Sequence, residues 1–388
     1  MATDVLGLYG IDELLTDTER DLRDTVRRYG AERLRPHIAG WYADGRMPAR
    51  DLAVELGALG LLGMRLTGYG CAGAGAVAYG LACAELEAVD SGLRSLVSVQ
   101  GSLAMHAIHT FGSEQHKQRW LPEMAAGRAI GCFGLTEPEH GSDPASMRTR
   151  AHRDGGDWLL TGTKTWITNA PIADVAVVWA RTDDGIRGFV VPTDAPGVAV
   201  AEIGAKLSLR ASATGEISLD DVRLPDAAML PGAGGMSGPL RCLTEARLGI
   251  AFGVTGAARD CLDTTIGYAT TRHQFGKPIA GFQLTQHKLV DASLALGNAV
   301  LLALHLGRRA EAGTLRPELV SAGKLNNVRA ALAIARDCRT ILGAAGITLD
   351  FSPLRHANNL ESVLTYEGTS EIHTLILGQA LTGLSAFH

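Results

Sequence analysis

The chain has six cysteines in 388 residues but no paired thiol motif. Cys71, Cys83, Cys132, Cys242, Cys261 and Cys338 are scattered, none at C-x-x-C spacing, and they outline no compact disulfide framework. Such cysteines read as buried thiols in a reducing compartment. Positive charge is also lacking. The net charge of −5 leaves no general basic surface, so nucleic acid is not an expected partner. No apolar run reaches the roughly 20 residues needed to cross a bilayer. The longest, Ala292 to Leu306, is interrupted by Ser293, Asn298 and His305, and a helix buried inside a bundle is expected there. The opening stretch MATDVLGLYGIDELL lacks the basic start and apolar core of a signal peptide. It also lacks the Arg-rich, acid-poor character of a transit peptide. A soluble, cytoplasmic protein without membrane insertion is expected.

Strand–helix alternation is missing too, which disfavours a doubly wound parallel sheet. The chain is too long for one simple core and suits two or three domains. Residues 1–130 read as helical. Thr16-x-x-Glu19 is a capping-box signal, with Leu22, Val26 and Tyr29 following at helical spacing. Further helices fit Asp51 to Leu61, Ala76 to Val89 and Leu96 to Phe111. Residues 131–240 change character. Short β-rich runs (Trp158–Leu160, Val175–Trp179, Gly188–Val191, Ile217–Leu219) alternate with Gly, Pro and Asp clusters, which predicts a small sandwich or barrel. Residues 241–388 return to long helices at Leu240–Thr271, Gln283–Ala312, Pro317–Leu342 and Thr369–Leu384, the pattern of a four-helix bundle. The fold class is therefore mainly α with a central β-domain.

Three stretches carry candidate chemistry. In Thr365-Tyr366-Glu367-Gly368-Thr369-Ser370-Glu371-Ile372 a carboxylate precedes a glycine at a turn into a helix. Buried, Glu367 is a general base if desolvation raises its pKa; otherwise it merely favours a helix start. Cys132 to Asp143, with Gly134, Gly141 and Ser142, is a small-residue loop able to hold phosphate or a flavin edge, or an ordinary connection. Gly162 to Asn169, with Trp166 and flanking threonines, suits an aromatic ring system or simply a well-packed hairpin.

Taken together, in order and along essentially the full length, these segments resemble the acyl-CoA dehydrogenases. The matching residues are Gly134-Leu135-Thr136-Glu137-Pro138, Trp166-Ile167-Thr168-Asn169, Leu209-Arg210-Ala211-Ser212-Ala213-Thr214, Asp220-Asp221-Val222, Arg272-His273-Gln274-Phe275-Gly276 and Tyr366-Glu367-Gly368-Thr369. The resemblance implies an N-terminal helical domain, a middle β-domain and a C-terminal four-helix bundle. It also implies bound FAD, an acyl-CoA substrate, a homotetramer and an electron-transfer flavoprotein as acceptor. It makes Glu367 the base that removes the α-proton while hydride leaves the β-carbon for FAD. It places Phe133, Leu135, Thr136, Gly141, Ser142, Trp166, Ile167 and Thr168 along the flavin. Arg272 would reach the FAD pyrophosphate of a neighbouring subunit, with Gln274, Phe275, Gly343, Thr369 and Glu371 also on the cofactor. The family usually has Gly-Gly where Gly343-Ala344 stands.

The likeness is nearest to the glutaryl-CoA dehydrogenase branch, through Glu85 to Gln100. There the resemblance implies that Arg94 and Ser98 grip a distal substrate carboxylate, with Glu87 orienting the arginine. Tyr366 and Arg247 complete the substrate side. Without that likeness, Arg94 reads as capping a surface helix and pairing with Asp90. Glutaryl-CoA would give glutaconyl-CoA and, after loss of CO2, crotonyl-CoA. Another short or dicarboxylic acyl thioester, without decarboxylation or on a carrier protein, is the alternative; Leu93 stands where close relatives tend to have tyrosine, which alters the expected pocket shape. Non-catalytic and flavin monooxygenase readings are disfavoured by Glu367. Gly68-Tyr69-Gly70-Cys71-Ala72-Gly73 fits G-x-G-x-x-G, but a helical pattern precedes it, so a nicotinamide site is not expected. His106, His109 and His116 lack companion ligands, so no metal is expected. Glu245 is a rival base in position, but Ala246 stands where that base would be.

Overall fold

The computed structural model describes residues 5–386. Residues 1–4, and residues 387 and 388 of the third region, lie outside it. Helices α1 (Asp17–Tyr29), α2 (Arg35–Asp44), α3 (Ala49–Ala58), α4 (Ala76–Glu87), α5 (Ser91–Ser98), α6 (His106–Phe111) and α7 (Glu114–Ala125) come first. The Thr16–Glu19 capping box forms: Thr16 Oγ1 accepts from the Glu19 N–H at 3.3 Å and Glu19 Oε2 accepts from the Thr16 N–H at 2.8 Å. Every residue of α4 is buried, as suits a helix apolar all round. The helix expected over Leu96–Phe111 is instead the end of α5, a π-helical segment Val99–Met105 and α6. Such a widened turn shifts the helical register, which a single-period reading merges.

Seven strands follow: β1 (Gly131–Gly134), β2 (Arg150–Asp154), β3 (Asp157–Thr168), β4 (Val175–Thr182), β5 (Gly185–Pro192), β6 (Val198–Glu202) and β7 (Thr214–Pro225). They form one sheet in the order β1-β4-β2-β3-β7-β6, with β5 also paired to β4. The sheet curls round its own core of Cys132, Trp158, Leu160, Val178, Phe189, Ile217 and Leu219. Alternate residues of β4, Val175, Val177 and Trp179, face the other way and pack with Phe111, Leu121 and Cys242 of the helices. This is the period-two pattern of strands buried on both faces. The stretch 162–169 is no hairpin. It is the end of β3, with register breaks against β7 at Leu160/Gly162 and Lys164/Ile167.

The C-terminal part holds α8 (Ser237–Thr271), a small hairpin of β8 (His273–Gln274) and β9 (Lys277–Pro278), then α9 (Gln283–Glu311), α10 (Pro317–Ile341), α11 (Pro353–Thr365) and α12 (Ser370–Thr382). The expected four helices are thus joined by a fifth, α11, whose Arg355, His356 and Asn359 are buried. Polar residues on its inner face hide its amphipathic pattern. Helix α10 lies centrally, against α8, α9, α11 and α12. Its Asn327 donates to the carbonyls of Ala251 (2.8 Å) and Ala299 (2.9 Å), tying α8 to α9. Helix α9 extends well beyond Ala292–Leu306 and is long and apolar enough to cross a membrane, yet its most apolar window is only 44% buried. One face packs in the bundle; Leu284, Val290, Leu294 and Leu301 on the other are exposed.

Candidate functional site

Helix α11 ends at Thr365, and the chain reverses through Tyr366, Glu367 and Gly368 into α12. Glu367 (φ +53°) and Gly368 (φ +100°) take left-handed backbone, which is costly for a glutamate. Thr369 caps α12, its Oγ1 accepting from the Ile372 N–H at 3.3 Å. Two buried cations hold the reversal. Lys324 Nζ on α10 donates to the carbonyls of Tyr366 (2.8 Å) and Gly368 (2.6 Å). Arg247 Nε on α8 donates to the Glu367 carbonyl at 2.8 Å. The Glu367 side chain is partly covered; its Oε2 is sealed from solvent and accepts no hydrogen bond. Burial raises the carboxyl pKa, against the opposing pull of Arg94, Arg247 and Lys324. That is the condition a carboxylate base requires.

Arg94 lies beside it. Its Nε donates to Glu87 Oε2 at 2.7 Å, and its other end donates to the Tyr366 hydroxyl. Ser91 Oγ donates to the second Glu87 oxygen at 2.8 Å. Both Arg94 and Glu87 are fully buried, so the reading of Arg94 as a surface cap paired with Asp90 is wrong. Asp90 accepts from the Gly92 N–H at 2.8 Å and pairs with Arg355 at 3.2 Å. Ser98 Oγ is buried. Ser95, which sequence reasoning passed over, sits instead at 3.5 Å from the Tyr366 hydroxyl. Lys324 and His373 were also missed. Lys324 shares a buried helical face with Val320, Asn327, Val328 and Ala331, and a lysine on such a face is a legible signal. Leu93 packs into the N-terminal helical core with Leu96 and Val97.

A second group of candidates lies on the rim of the sheet. Lys164 Nζ donates to Glu137 Oε1 (2.8 Å) and to the Leu135 carbonyl (3.1 Å), and the Thr165 N–H donates to the Thr136 carbonyl (2.9 Å). These bonds set residues 135–137 against 164–168. Burial lowers the Lys164 pKa to about 8 against the pull of Glu137. Trp166 stands 62% exposed in left-handed backbone (φ +60°) at the irregularity in β3. Among the described residues the hydroxyls of Thr136, Ser142 and Thr168 have no partner. An exposed indole beside free hydroxyls fits a bound aromatic cofactor. The side chains of Phe133, Leu135 and Ile167 are buried, so those residues offer backbone only. Gly141 and Ser142 lie on the exposed loop beyond.

The rim and the carboxylate cluster are connected. Thr168 pairs with Thr214 at the start of β7. The loop before β7 lies on α11, where Asn359 Oδ1 accepts from the Leu209 N–H at 2.8 Å. It also reaches α5, where a Cβ on Gly92 would be 3.4 Å from the Ser212 nitrogen. Arg272, Gln274 and Phe275 are exposed on the hairpin after α8, Phe275 at 93%. Gly343 (φ +61°) and Ala344 are exposed too, and Glu371 faces outward on the first turn of α12. These residues do not converge on Glu367 within one chain. The Gly68–Gly73 turn lies between α3 and α4 with no strand before it, and Glu245 pairs with Arg65. Among the described residues no cluster of three or more His, Cys, Asp or Glu is fit to hold a metal.

Residues 16–128, 132–222 and 233–382 match the N-terminal, middle and C-terminal domains of acyl-CoA dehydrogenase. The chain belongs to the acyl-CoA dehydrogenase family. It is a FAD-dependent oxidoreductase of that family. Among solved structures it is similar to a glutaryl-CoA dehydrogenase from Mycobacterium smegmatis, with 67% identity, TM-score 0.99 and 100% of both chains covered. A second glutaryl-CoA dehydrogenase from Mycobacterium smegmatis, in complex with FADH2, is 62% identical with TM-score 0.99 over 100% of both chains. The human mitochondrial short-chain specific acyl-CoA dehydrogenase is 35% identical over 94% of this chain and 90% of its own length.

Proposed function

We propose that this acyl-CoA dehydrogenase oxidises glutaryl-CoA to glutaconyl-CoA and releases CO2 to leave crotonyl-CoA. The observation that carries the reading is the Arg94 guanidinium, buried on Glu87 and joined to the hydroxyl of Tyr366, one residue from Glu367. A planar cation with fixed donors suits a carboxylate, and a monocarboxylic acyl chain gives it nothing to bind. The likeness to two glutaryl-CoA dehydrogenases supports the same substrate.

Glu367 takes the α-proton. Its own N–H has no acceptor among the described residues and is available to the thioester oxygen, where charge develops. Bound FAD would supply the hydride acceptor. Thr136, Ser142, Trp166 and Thr168 would hold its ring, with backbone from Phe133, Leu135, Gly141 and Ile167. Arg272, Gln274, Phe275, Gly343, Thr369 and Glu371 would serve its phosphate and adenosine end. Arg94, with Ser95, Ser98 and Tyr366 beside it, holds the distal carboxylate; Arg247 acts on the backbone of the base. In the second step the γ-carboxylate leaves as CO2, its bonding electrons pass into a dienolate, and a proton completes crotonyl-CoA.

The exposed residues of the 272–275 hairpin and the outer face of α9 support a homotetramer. The six free cysteines support a reducing, cytoplasmic setting, and an electron-transfer flavoprotein suits reoxidation. We keep the division at residues 1–130, 131–240 and 241–388. Mass spectrometry of the products from glutaryl-CoA with an artificial electron acceptor tests the reading. Crotonyl-CoA supports it. Glutaconyl-CoA alone removes the decarboxylation, and no product removes the substrate.

A further inference from the structure

Lys324, like Arg247, is a buried cation of this site that no carboxylate pairs directly. Its side chain is 1% exposed, and its Nζ spends its donors on backbone: Leu364 O at 3.4 Å, Tyr366 O at 2.8 Å and Gly368 O at 2.6 Å. These three carbonyls bracket Glu367. Leu364 belongs to the last turn of α11, whose final carbonyls have no helical partner; a cation at a helix C-terminus is favoured by the dipole as well. Gly368 opens the approach to α12. One ammonium therefore ties the end of one helix to the start of the next across the residue between them.

The Glu367 peptide is held from the other side too. Arg247 Nε grips the Glu367 carbonyl at 2.8 Å. Buried His373 lies under Gly368, where a Cβ would meet its Nε2 at 2.9 Å. With alternate carbonyls at 366 and 368 bound to Lys324 and the one at 367 bound to Arg247, the plane of each peptide around the base is set. The left-handed conformation of Glu367 is strained and persists only where neighbours over-determine it. Arg94, Arg247 and Lys324, the last with a pKa that burial lowers to about 7, face Glu87 and Glu367. A site so arranged favours added negative charge on a bound thioester.

We propose that Lys324 is a positioning residue for the reaction: through the carbonyls of residues 364, 366 and 368 it fixes the Glu367 carboxylate and the Glu367 N–H in the orientation used for α-proton removal. The inference rests on Glu367 being the base, as argued above. It assigns Lys324 no contact with substrate. Its effect belongs to the proton-transfer step and spares thioester binding.

The test uses the FAD-loaded enzyme with Lys324→Met and Lys324→Gln. Steady-state turnover is measured beside deuterium uptake into acetyl-CoA in heavy water. Acetyl-CoA has α-hydrogens and no β-carbon, so this exchange reports the base without oxidation. Misplacing a reacting group by about 1 Å costs roughly 100-fold. Lys324→Met should lower kcat and the exchange rate together by about that factor, with KM changed less than threefold and FAD content kept. Lys324→Gln keeps a donor and should recover part of the loss. The acid limb of the Lys324→Met kcat profile should move to higher pH, because a cation near Glu367 is gone. Parental kcat and exchange in both folded variants overturn the proposal. So does a rise in KM that accounts for the whole loss, or failure of both variants to fold or hold FAD, since Lys324 is then structural only. Glu367→Gln is run alongside. If it still exchanges α-protons, the base assignment itself fails, whatever the lysine variants do.

Discussion

Gly253 on α8 faces the carboxylate of Glu87, so that a Cβ there would collide with Oε2 and stand 3.3 Å from Cγ of Arg94. The bare backbone at this point is what lets a buried acid and a buried arginine lie between α5 and α8. Gly253→Ala should push Glu87 off Arg94 and leave the guanidinium free to turn. The expected result is a fall of at least about tenfold in kcat/KM for glutaryl-CoA, with a smaller change for butyryl-CoA, which has no distal carboxylate to misplace. Equal losses on the two substrates would mean that the glycine serves packing alone.

Arg94→Met carries the same logic further. It removes the carboxylate partner and also strands Glu87 as a buried, unpaired charge, a change that costs about 3–5 kcal/mol. The single variant should therefore be both unstable and selective against glutaryl-CoA. Adding Glu87→Gln should restore most of the melting temperature, since a neutral amide needs no counter-charge, while the preference for glutaryl-CoA stays lost. Calorimetry and paired kinetics on the single and double variants separate the two effects. Recovery of glutaryl-CoA turnover in the double variant would count against Arg94 as the carboxylate ligand.

Much of this arrangement was legible in the chain, and the parts that were not have physical reasons. The Thr16–Glu19 cap, the strand runs of the middle region and the turn at Glu367 are local signals, set by residues a few positions apart. The pairing of Arg94 with Glu87 was reached only through family likeness: on spacing alone its nearest acid is Asp90, yet burial sends it to Glu87 and to Tyr366, 272 positions away. Ser98 came from family likeness alone, and no local signal marks Ser95, which lies 3.5 Å from the Tyr366 hydroxyl. Helix α11 was invisible because Arg355, His356 and Asn359 face inward, where an apolar stripe was sought. No local pattern announces that Lys324 reaches carbonyls more than 40 residues away.

Acid stability offers a check on the packing around the site. Glu85 on α4 accepts from Arg27 of α1 (3.1 and 3.0 Å) and from Arg259 of α8 (2.6 and 2.7 Å). Burial alone would raise its pKa, but Arg259 and Arg27 outweigh that and hold it at about 2. A depressed carboxyl stabilises the fold above its unfolded pKa, and the contribution is lost as pH falls toward the folded value. Glu85→Gln should therefore cost about 3 kcal/mol at pH 7 and much less at pH 2. A loss independent of pH, in denaturant melts at both values, would show that the ion pairs are not its source.

Glu367 should show the opposite sign. Burial raises its pKa in the folded chain, so it favours folding only while protonated. That contribution is complete below the unfolded pKa and disappears as pH rises through the folded one. The base is thus held at a cost to stability under the conditions in which it works. Glu367→Gln keeps the shape and removes the charge. Turnover should fall by about 10²- to 10⁴-fold with FAD and acyl-CoA binding retained. The melting temperature should exceed that of the parent at pH 8 and match it near pH 4. The free-enzyme kcat/KM profile of the parent should have its acid limb above the ordinary glutamate range, since only the ionised carboxylate accepts the α-proton. A variant that is inactive but less stable at pH 8 than at pH 4, relative to the parent, would indicate that Lys324 and Arg247 need this carboxylate more than its burial penalises it.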